Sequence, residues 1–251
     1  MYNHFTWCEV TSFDLSEAMC FYENVFGWEM SETIGNYSTC YSDGKQSAGL
    51  LKMTRNFREA ELPSFWLPYV RVDSLFDMVN LAVELGGKIE VHPSDFIIDG
   101  EKVGRYALVR DTAGAGLMLY EGEDLGGLDE AAKSDARMVT NQLHVDSVYG
   151  VSKFYEQLFG WKFTQDPDGY RRYVISDMKG KKVGSLIELD KKNQGVKNCW
   201  MIHFAVKDVG RTLRKAKNFG GLVIIDLTDT DYAFALVQDS QGAFFCIRKA
   251  A

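Results

Sequence analysis

The sequence predicts an α+β protein built from four βαβββ units in two similar halves, and three repeated stretches carry that prediction. Phe21-Tyr22-Glu23-Asn24-Val25-Phe26-Gly27-Trp28 returns as Phe154-Tyr155-Glu156-Gln157-Leu158-Phe159-Gly160-Trp161, identical at six of eight positions. Leu85-Gly86-Gly87 returns as Phe219-Gly220-Gly221, and Ala107-Leu108-Val109-Arg110-Asp111 with Gly114-Ala115 returns as Ala235-Leu236-Val237-Gln238-Asp239 with Gly242-Ala243. The offsets are 133, 134 and 128 residues, so the second half is about six residues shorter between its Gly-Gly pair and its end. A repeat of this length is a whole domain rather than a solenoid unit. The chain of 251 residues has room for two such domains. They are placed at 1–121 and 138–251, with 122–137 as the linker.

Each element has a local cause. Phe5 to Ser12 alternates apolar and polar residues with the period of a strand. Asp14-Leu-Ser-Glu17 then has the N-cap and N3 acid of a capping box, Ala18, Phe21, Tyr22 and Val25 recur at helical spacing, and Gly27 ends the helix. Three strands follow at 28–33, 37–42 and 47–53, with Asp43-Gly44 as a tight turn. Residues 54–62 are a polar connection closed by Pro63. The order then restarts with a strand at 66–72, an amphipathic helix at 75–85 ended by Gly86-Gly87, and strands near 88–93, 103–110 and 116–121. In the second half, strands are predicted at 139–146, 161–165, 170–176 and 183–189 with a helix at 148–159. After a polar link at 190–198, a strand at 200–206 and a helix at 209–219 precede strands near 222–226, 232–237 and 243–248.

Composition narrows the function. With 46% hydrophobic and 25% charged residues the chain is that of an ordinary globular protein. A formal charge of −7 argues against nucleic acid and against an anionic membrane, both of which are bound through clustered cations. No signal-peptide pattern follows Met1 and no run of about 18 apolar residues occurs, so a cytoplasmic location is expected. Cys8, Cys20, Cys40, Cys199 and Cys246 are scattered, with no C-x-x-C pair, which is the pattern of reduced thiols.

Trp7-Cys-Glu9, Phe21-Tyr22, Phe26-Gly27-Trp28, Trp66-Leu-Pro-Tyr69-x-x-Val72, Gly86-Gly87, Gly104-Arg105-Tyr106-Ala107 and Asp111-x-x-Gly114-Ala115 together resemble the vicinal oxygen chelate superfamily. That superfamily includes glyoxalase I, extradiol dioxygenases and bleomycin-resistance proteins, and the resemblance is to its tandem, two-domain glyoxalase-like branch. It covers residues 5–121 and 139–248. It implies two half-open, curved mixed sheets with the helices outside and a concave face inside. In the superfamily's metal-dependent members, His or Glu side chains on the first and fourth strands of each unit hold a metal that acts as a Lewis acid.

The positions that match this pattern differ between the halves. In the first they fall at Trp7, Leu67, Met53 and Met118, none of which ligates a hard divalent cation. Trp7, Trp66, Tyr69, Met53 and Met118 then either form core or line an apolar pocket in which Glu9 and Arg105 orient a ligand. In the second half the positions are Thr140, Met201, Glu188 and Cys246, with His144 and His203 nearby on the first strands. A His144–Glu188–His203 set is the donor type that holds one divalent transition metal with open positions. Gln142 and Trp200 complete the candidate ligand-binding residues. His4, His92, Arg171-Arg172 and Lys179 to Lys182 are expected to face solvent.

Three functions follow. One is a metal-free, cofactor-free protein that binds a small planar or aromatic metabolite, stacked on Trp7 or Trp66, without turnover. Another is a metal-dependent lyase, isomerase or dioxygenase working in the second domain. The third is an assembly whose cavities are filled by side chains. A homodimer is compatible with all of them, and no catalytic residue is assigned.

Overall fold

The computed structural model describes residues 3–167, 169–190, 198–230 and 233–251. Most of the 190–198 link and Tyr232 therefore lie outside the described residues. The first half runs β1 (His4–Ser12), α1 (Leu15–Phe26), β2 (Glu29–Met30), β3 (Tyr37–Ser42), β4 (Lys45–Lys52), a short α2 (Arg55–Glu59), β5 (Phe65–Arg71), α3 (Leu75–Glu84), β6 (Lys88–Ile98), β7 (Glu101–Arg110) and β8 (Gly116–Gly122). The second runs β9 (Arg137–Val145), α4 (Val148–Phe159), β10 (Lys162–Gln165), β11 (Arg172–Ser176), β12 (Lys182–Glu188), β13 (Cys199–Val206), α5 (Val209–Asn218), β14 (Leu222–Asp226), β15 (Ala235–Gln238) and β16 (Phe244–Lys249). The strands form two mixed sheets of eight, ordered β2-β3-β4-β1-β5-β8-β7-β6 and β10-β11-β12-β9-β13-β16-β15-β14. The α+β reading therefore holds, with two sheets of equivalent order.

Local signals fixed the elements they were expected to fix. Asp14 caps α1 by accepting from Glu17 N at 3.0 Å, and Gly27 closes the helix with φ 72°. The returning half of the capping box is supplied from elsewhere: Asp14 N donates to Gln241 Oε1 at 2.8 Å, and Gln241 Nε2 donates to Asp14 O at 2.7 Å. Asp43 and Gly44, at φ 49° and 70°, make the turn between β3 and β4. Differences arise where the sequence pattern was short. The strand expected over 28–33 is only Glu29–Met30, because Trp28 turns into the core at 2% exposure. The connection at 54–62 holds the one-turn α2.

The repeated Phe-Tyr…Phe-Gly-Trp segment builds the joint between the halves. Tyr22 Oη donates to Asp239 at 2.7 Å, and Tyr155 Oη donates to Asp111 at 2.8 Å. Each hydroxyl also accepts an indole N–H, from Trp66 at 3.0 Å and from Trp200 at 2.8 Å. Trp28 and Trp161 donate across the joint to the carbonyls of Ala136 and Asn3. Helix α1 packs on α5 and α3 on α4, so each helix of one sheet meets a helix of the other. One apolar core, from Phe5 through Phe21, Trp66, Tyr155 and Trp200 to Phe245, runs through both halves. The helix-covered faces of the sheets are thereby sealed, which leaves the concave faces as the places for a site.

Candidate functional site

Strand pairing fixes which residues of the two concave faces correspond. On β1 and β5, Trp7 stands against Tyr69 and Glu9 against Leu67; on β9 and β13, Thr140 stands against His203 and Gln142 against Met201. Parallel pairing places Tyr69 beside Met118 and His203 beside Cys246, with Tyr120 and Arg248 one pleat further along their strands. Tyr37 on β3 and Arg172 on β11 hold the matching outer positions, opposite Leu51 and Ile187. Side by side, the first face carries Trp7, Glu9, Tyr37, Tyr69 and Tyr120 where the second carries Thr140, Gln142, Arg172, His203 and Arg248.

The first face is closed. Trp7, Tyr69, Met118 and Tyr120 pack with Phe96, Ile98 and Leu108 into a separate apolar cluster, all at 6% exposure or less. Phe96 and Ile98 come from the outer half of β6, an eleven-residue strand that folds back over the sheet through the Asp99-Gly100 turn. Phe96 stacks on Tyr69 with centroids 5.3 Å apart and meets Tyr37 edge-on at 5.9 Å. Trp7 Nε1 donates to Tyr37 Oη at 3.1 Å, and Tyr69 Oη donates to Glu9 Oε2 at 2.9 Å. Gly49 permits this, because a Cβ there would collide with the Tyr37 hydroxyl. Glu9 is 1% exposed, and burial pushes its carboxyl up to about 7 against the hydrogen bonds of Tyr69 and Tyr37.

The candidate pocket residues are thus redistributed. Trp7, Glu9, Tyr69 and Met118 do share the concave face of the first sheet, but as packed core. Trp66 lies on the opposite face, in edge contact with Tyr22 and Phe204, and Trp200 likewise packs on Phe5 and Tyr155. Alternation along a strand forbids Trp66 from facing the same way as Leu67 and Tyr69. Arg105 is exposed, beside Tyr106, whose ring belongs to the concave cluster. Of the eight, only Gln142 lies on the concave face of the second sheet, and it is buried at 6% exposure.

The second face is covered less completely, because β14 has five residues where β6 has eleven: Phe234 and Leu227 pack on Met201 and Cys246, and the Phe234 ring meets His203 at 5.6 Å. A groove of about 510 Å³ lies there, bordered by Thr140, Lys182, Val183, Arg248 and Ala251, with Glu130 and Lys181 also on its wall. Glu130 and Lys181 are already paired at 2.8 Å. Deeper on the same face, His144 Nε2 donates to Gln142 Oε1 at 3.0 Å and Gln142 Nε2 donates to Ser185 Oγ at 3.0 Å. His203 is 2% exposed, and neither ring nitrogen has a hydrogen-bond partner. Burial, and then the positive charges of Arg248, His144 and Lys182, hold its pKa well below the usual histidine range, so its ring is neutral at pH 7. Burial alone brings His144 down to about 4.

The proposed donor set does not assemble. Glu188 pairs with Arg171 at 3.5 Å and stands beside Val145, on the face that carries the buried Leu186 rather than the face of Ser185 and Gln142. Among the described residues no three His, Cys, Asp or Glu side chains converge to hold a metal ion. The donors left on the concave face, the imidazoles of His144 and His203 and the buried thiol of Cys246, are of a type that transition metals accept, but they do not converge. Expected solvent exposure fails at His4, half-buried 3.1 Å from Asp124, and at Arg171 and Arg172, both half-buried with Arg172 in β11; Lys179, Lys181 and Lys182 are exposed as expected, Lys182 at the edge of the groove. Arg248 was legible in principle: in Phe244-Phe-Cys246-Ile-Arg248 the even positions share one face, and the last is a cation.

Comparison with known proteins agrees with this architecture. No protein-family model matches the chain. It is similar to "Putative glyoxylase CFP32" of Mycobacterium tuberculosis, at 28% identity over 98% of this chain and 94% of that protein. It is also similar to "Anthracycline biosynthesis protein DnrV" of Streptomyces peucetius, at 26% identity over 96% of this chain and 91% of that one. The Mn(II)-bound glyoxalase of Novosphingobium aromaticivorans superposes with a TM-score of 0.66 at 12% identity, over 99% of this chain and 82% of its own. No helix among the described residues is long and apolar enough to cross a membrane.

Proposed function

Taking the chain as a tandem protein of the vicinal oxygen chelate superfamily, we propose that it binds a small organic molecule non-covalently in the concave groove of its second sheet, the first sheet serving as scaffold. The observation that carries this is the asymmetry of two otherwise equivalent faces. One is filled by Trp7, Tyr37, Tyr69, Phe96 and Tyr120; the other, covered only in part by Phe234, keeps a groove of about 510 Å³, a size suited to a small ligand. The groove combines the apolar surface of Val183 with a few convergent polar groups, the usual make-up of such a site. The names of the relatives, a glyoxylase and an anthracycline biosynthesis protein, support a small-molecule role and leave its chemistry open. We read the site as working without a divalent metal, since Glu188 faces away and no three donor side chains converge among the described residues. Neutral His203 and His144 are then hydrogen-bonding groups rather than strong bases.

Isothermal titration of the full chain with 2-naphthamide, a neutral planar probe, tests this. Binding is expected for the wild type and a loss of at least tenfold for Thr140→Trp, which places in the groove the residue type that fills the first face. Equal affinity in the two proteins would remove the groove as the site.

A further inference from the structure

The geometry points to a specificity for anionic ligands: the groove of the second sheet takes a small organic molecule bearing a carboxylate, held by Arg248 and assisted by Lys182. This rests on the groove reading and adds the chemical class of the ligand.

Three observations carry it. First, the chain has a net charge of −7, yet its groove face gathers cations. Arg248 and Lys182 border the groove, and Arg172 is close enough to Arg248 for its charge to disfavour a second guanidinium there. Second, among the described residues Arg248 and Lys182 have no acidic side chain of their own. Among the described residues neither Arg248 nor Lys182 forms an ion pair, and Glu130, the one acidic side chain on the groove wall, is taken by Lys181 at 2.8 Å. A half-buried guanidinium loses hydration and normally recovers it from a carboxylate, to which its planar fork is matched. Third, His203 lies one pleat from Arg248 across the β13–β16 pair, 2% exposed, with both ring nitrogens lacking a partner. Buried polar groups of this kind are uncommon in folded proteins, and this one lies beside Phe234, behind the groove-lining Thr140 and Arg248.

The equivalent positions of the first face sharpen the point. Arg248 replaces Tyr120, whose hydroxyl donates to Val103 O at 2.9 Å and so closes that face on itself. His203 replaces Tyr69, which is bonded to Glu9. The acid itself has become Gln142, so the second face has exchanged its one carboxylate for an amide while gaining cations. A face changed in that sense disfavours a cationic ligand and favours an anionic one.

Matched probes give the test: 2-naphthoate and 2-naphthamide, titrated into the full chain at low and at 0.5 M salt. The acid is expected to bind at least tenfold tighter than the amide at low salt, with the difference shrinking at high salt. Arg248→Met is expected to abolish the preference, so that the variant binds acid and amide equally; Arg248→Lys, which keeps the charge, retains part of the preference. Lys182→Met, at the exposed edge, gives a smaller loss and covers the case in which Arg248→Met does not fold. Equal binding of the two probes to the wild type overturns the anion specificity but leaves the groove reading standing. Failure of both probes to bind overturns the two together.

Discussion

At the scale of single residues, Glu9 and Gln142 show how one position divides the two halves. Glu9 is sealed among Trp7, Tyr37 and Tyr69, and burial raises its pKa from 4.5 to about 7. A group raised in the folded state adds stability that is fully present below 4.5 and is lost as pH rises through 7. The shift corresponds to about 3 kcal/mol across that window. Glu9→Gln keeps the shape and cannot ionise. Urea unfolding of both proteins at pH 4.5 and pH 8 is expected to show the variant gaining about 3 kcal/mol relative to wild type at the higher pH. Parallel losses in the two proteins would mean that Glu9 ionises without cost. Gln142, buried and hydrogen-bonded to His144 and Ser185, brings no such dependence.

At the scale of elements, the β6–β7 hairpin decides that the first face is closed. Its Phe96 bridges Tyr37, Tyr69, Tyr106 and Tyr120. Phe96→Ala is expected to cost about 3–5 kcal/mol and leave an apolar void. Benzene-saturated buffer should then raise the melting temperature of the variant and not of the wild type, as a dry apolar cavity of that size accepts such a molecule. A variant that is destabilised but indifferent to benzene would show that the hairpin collapses inward instead. The elements themselves were legible from the sequence, because a cap at Asp14, a left-handed Gly27 and a turn at Asp43-Gly44 are local chemistry. The facing of strand residues was not. Strand pairing sets Glu188 in line with Lys52 rather than with Met53, and a slip of one residue carries a side chain to the other face. Trp66 and Tyr69 could not share a face by parity, and the hairpin that covers Tyr69 comes from a strand whose outer half gave only a weak pattern at His92-Pro93.

At the scale of the whole molecule, the duplication was legible because the same eight residues occur twice, but its physical purpose emerges only when the halves are together. The two Phe-Tyr…Phe-Gly-Trp helices are exchanged across the joint, each tyrosine bonded to the other half's aspartate, at 2.7 and 2.8 Å. This joint consumes Trp66 and Trp200, two residues that a strand-by-strand reading assigns to pockets. What remains is one closed face and one partly covered face with a groove at its edge, and the proposal is that a single ligand binds in the second half. The most direct measurement of that claim is a backbone amide chemical-shift map of the full chain titrated with 2-naphthoate. The account predicts that the perturbed amides cluster at Thr140, Lys182, Val183, His203 and Arg248, with those of Trp7, Tyr69 and Phe96 unmoved. Perturbations centred on Trp7, Tyr69 and Phe96 instead would place the site in the first sheet and contradict it.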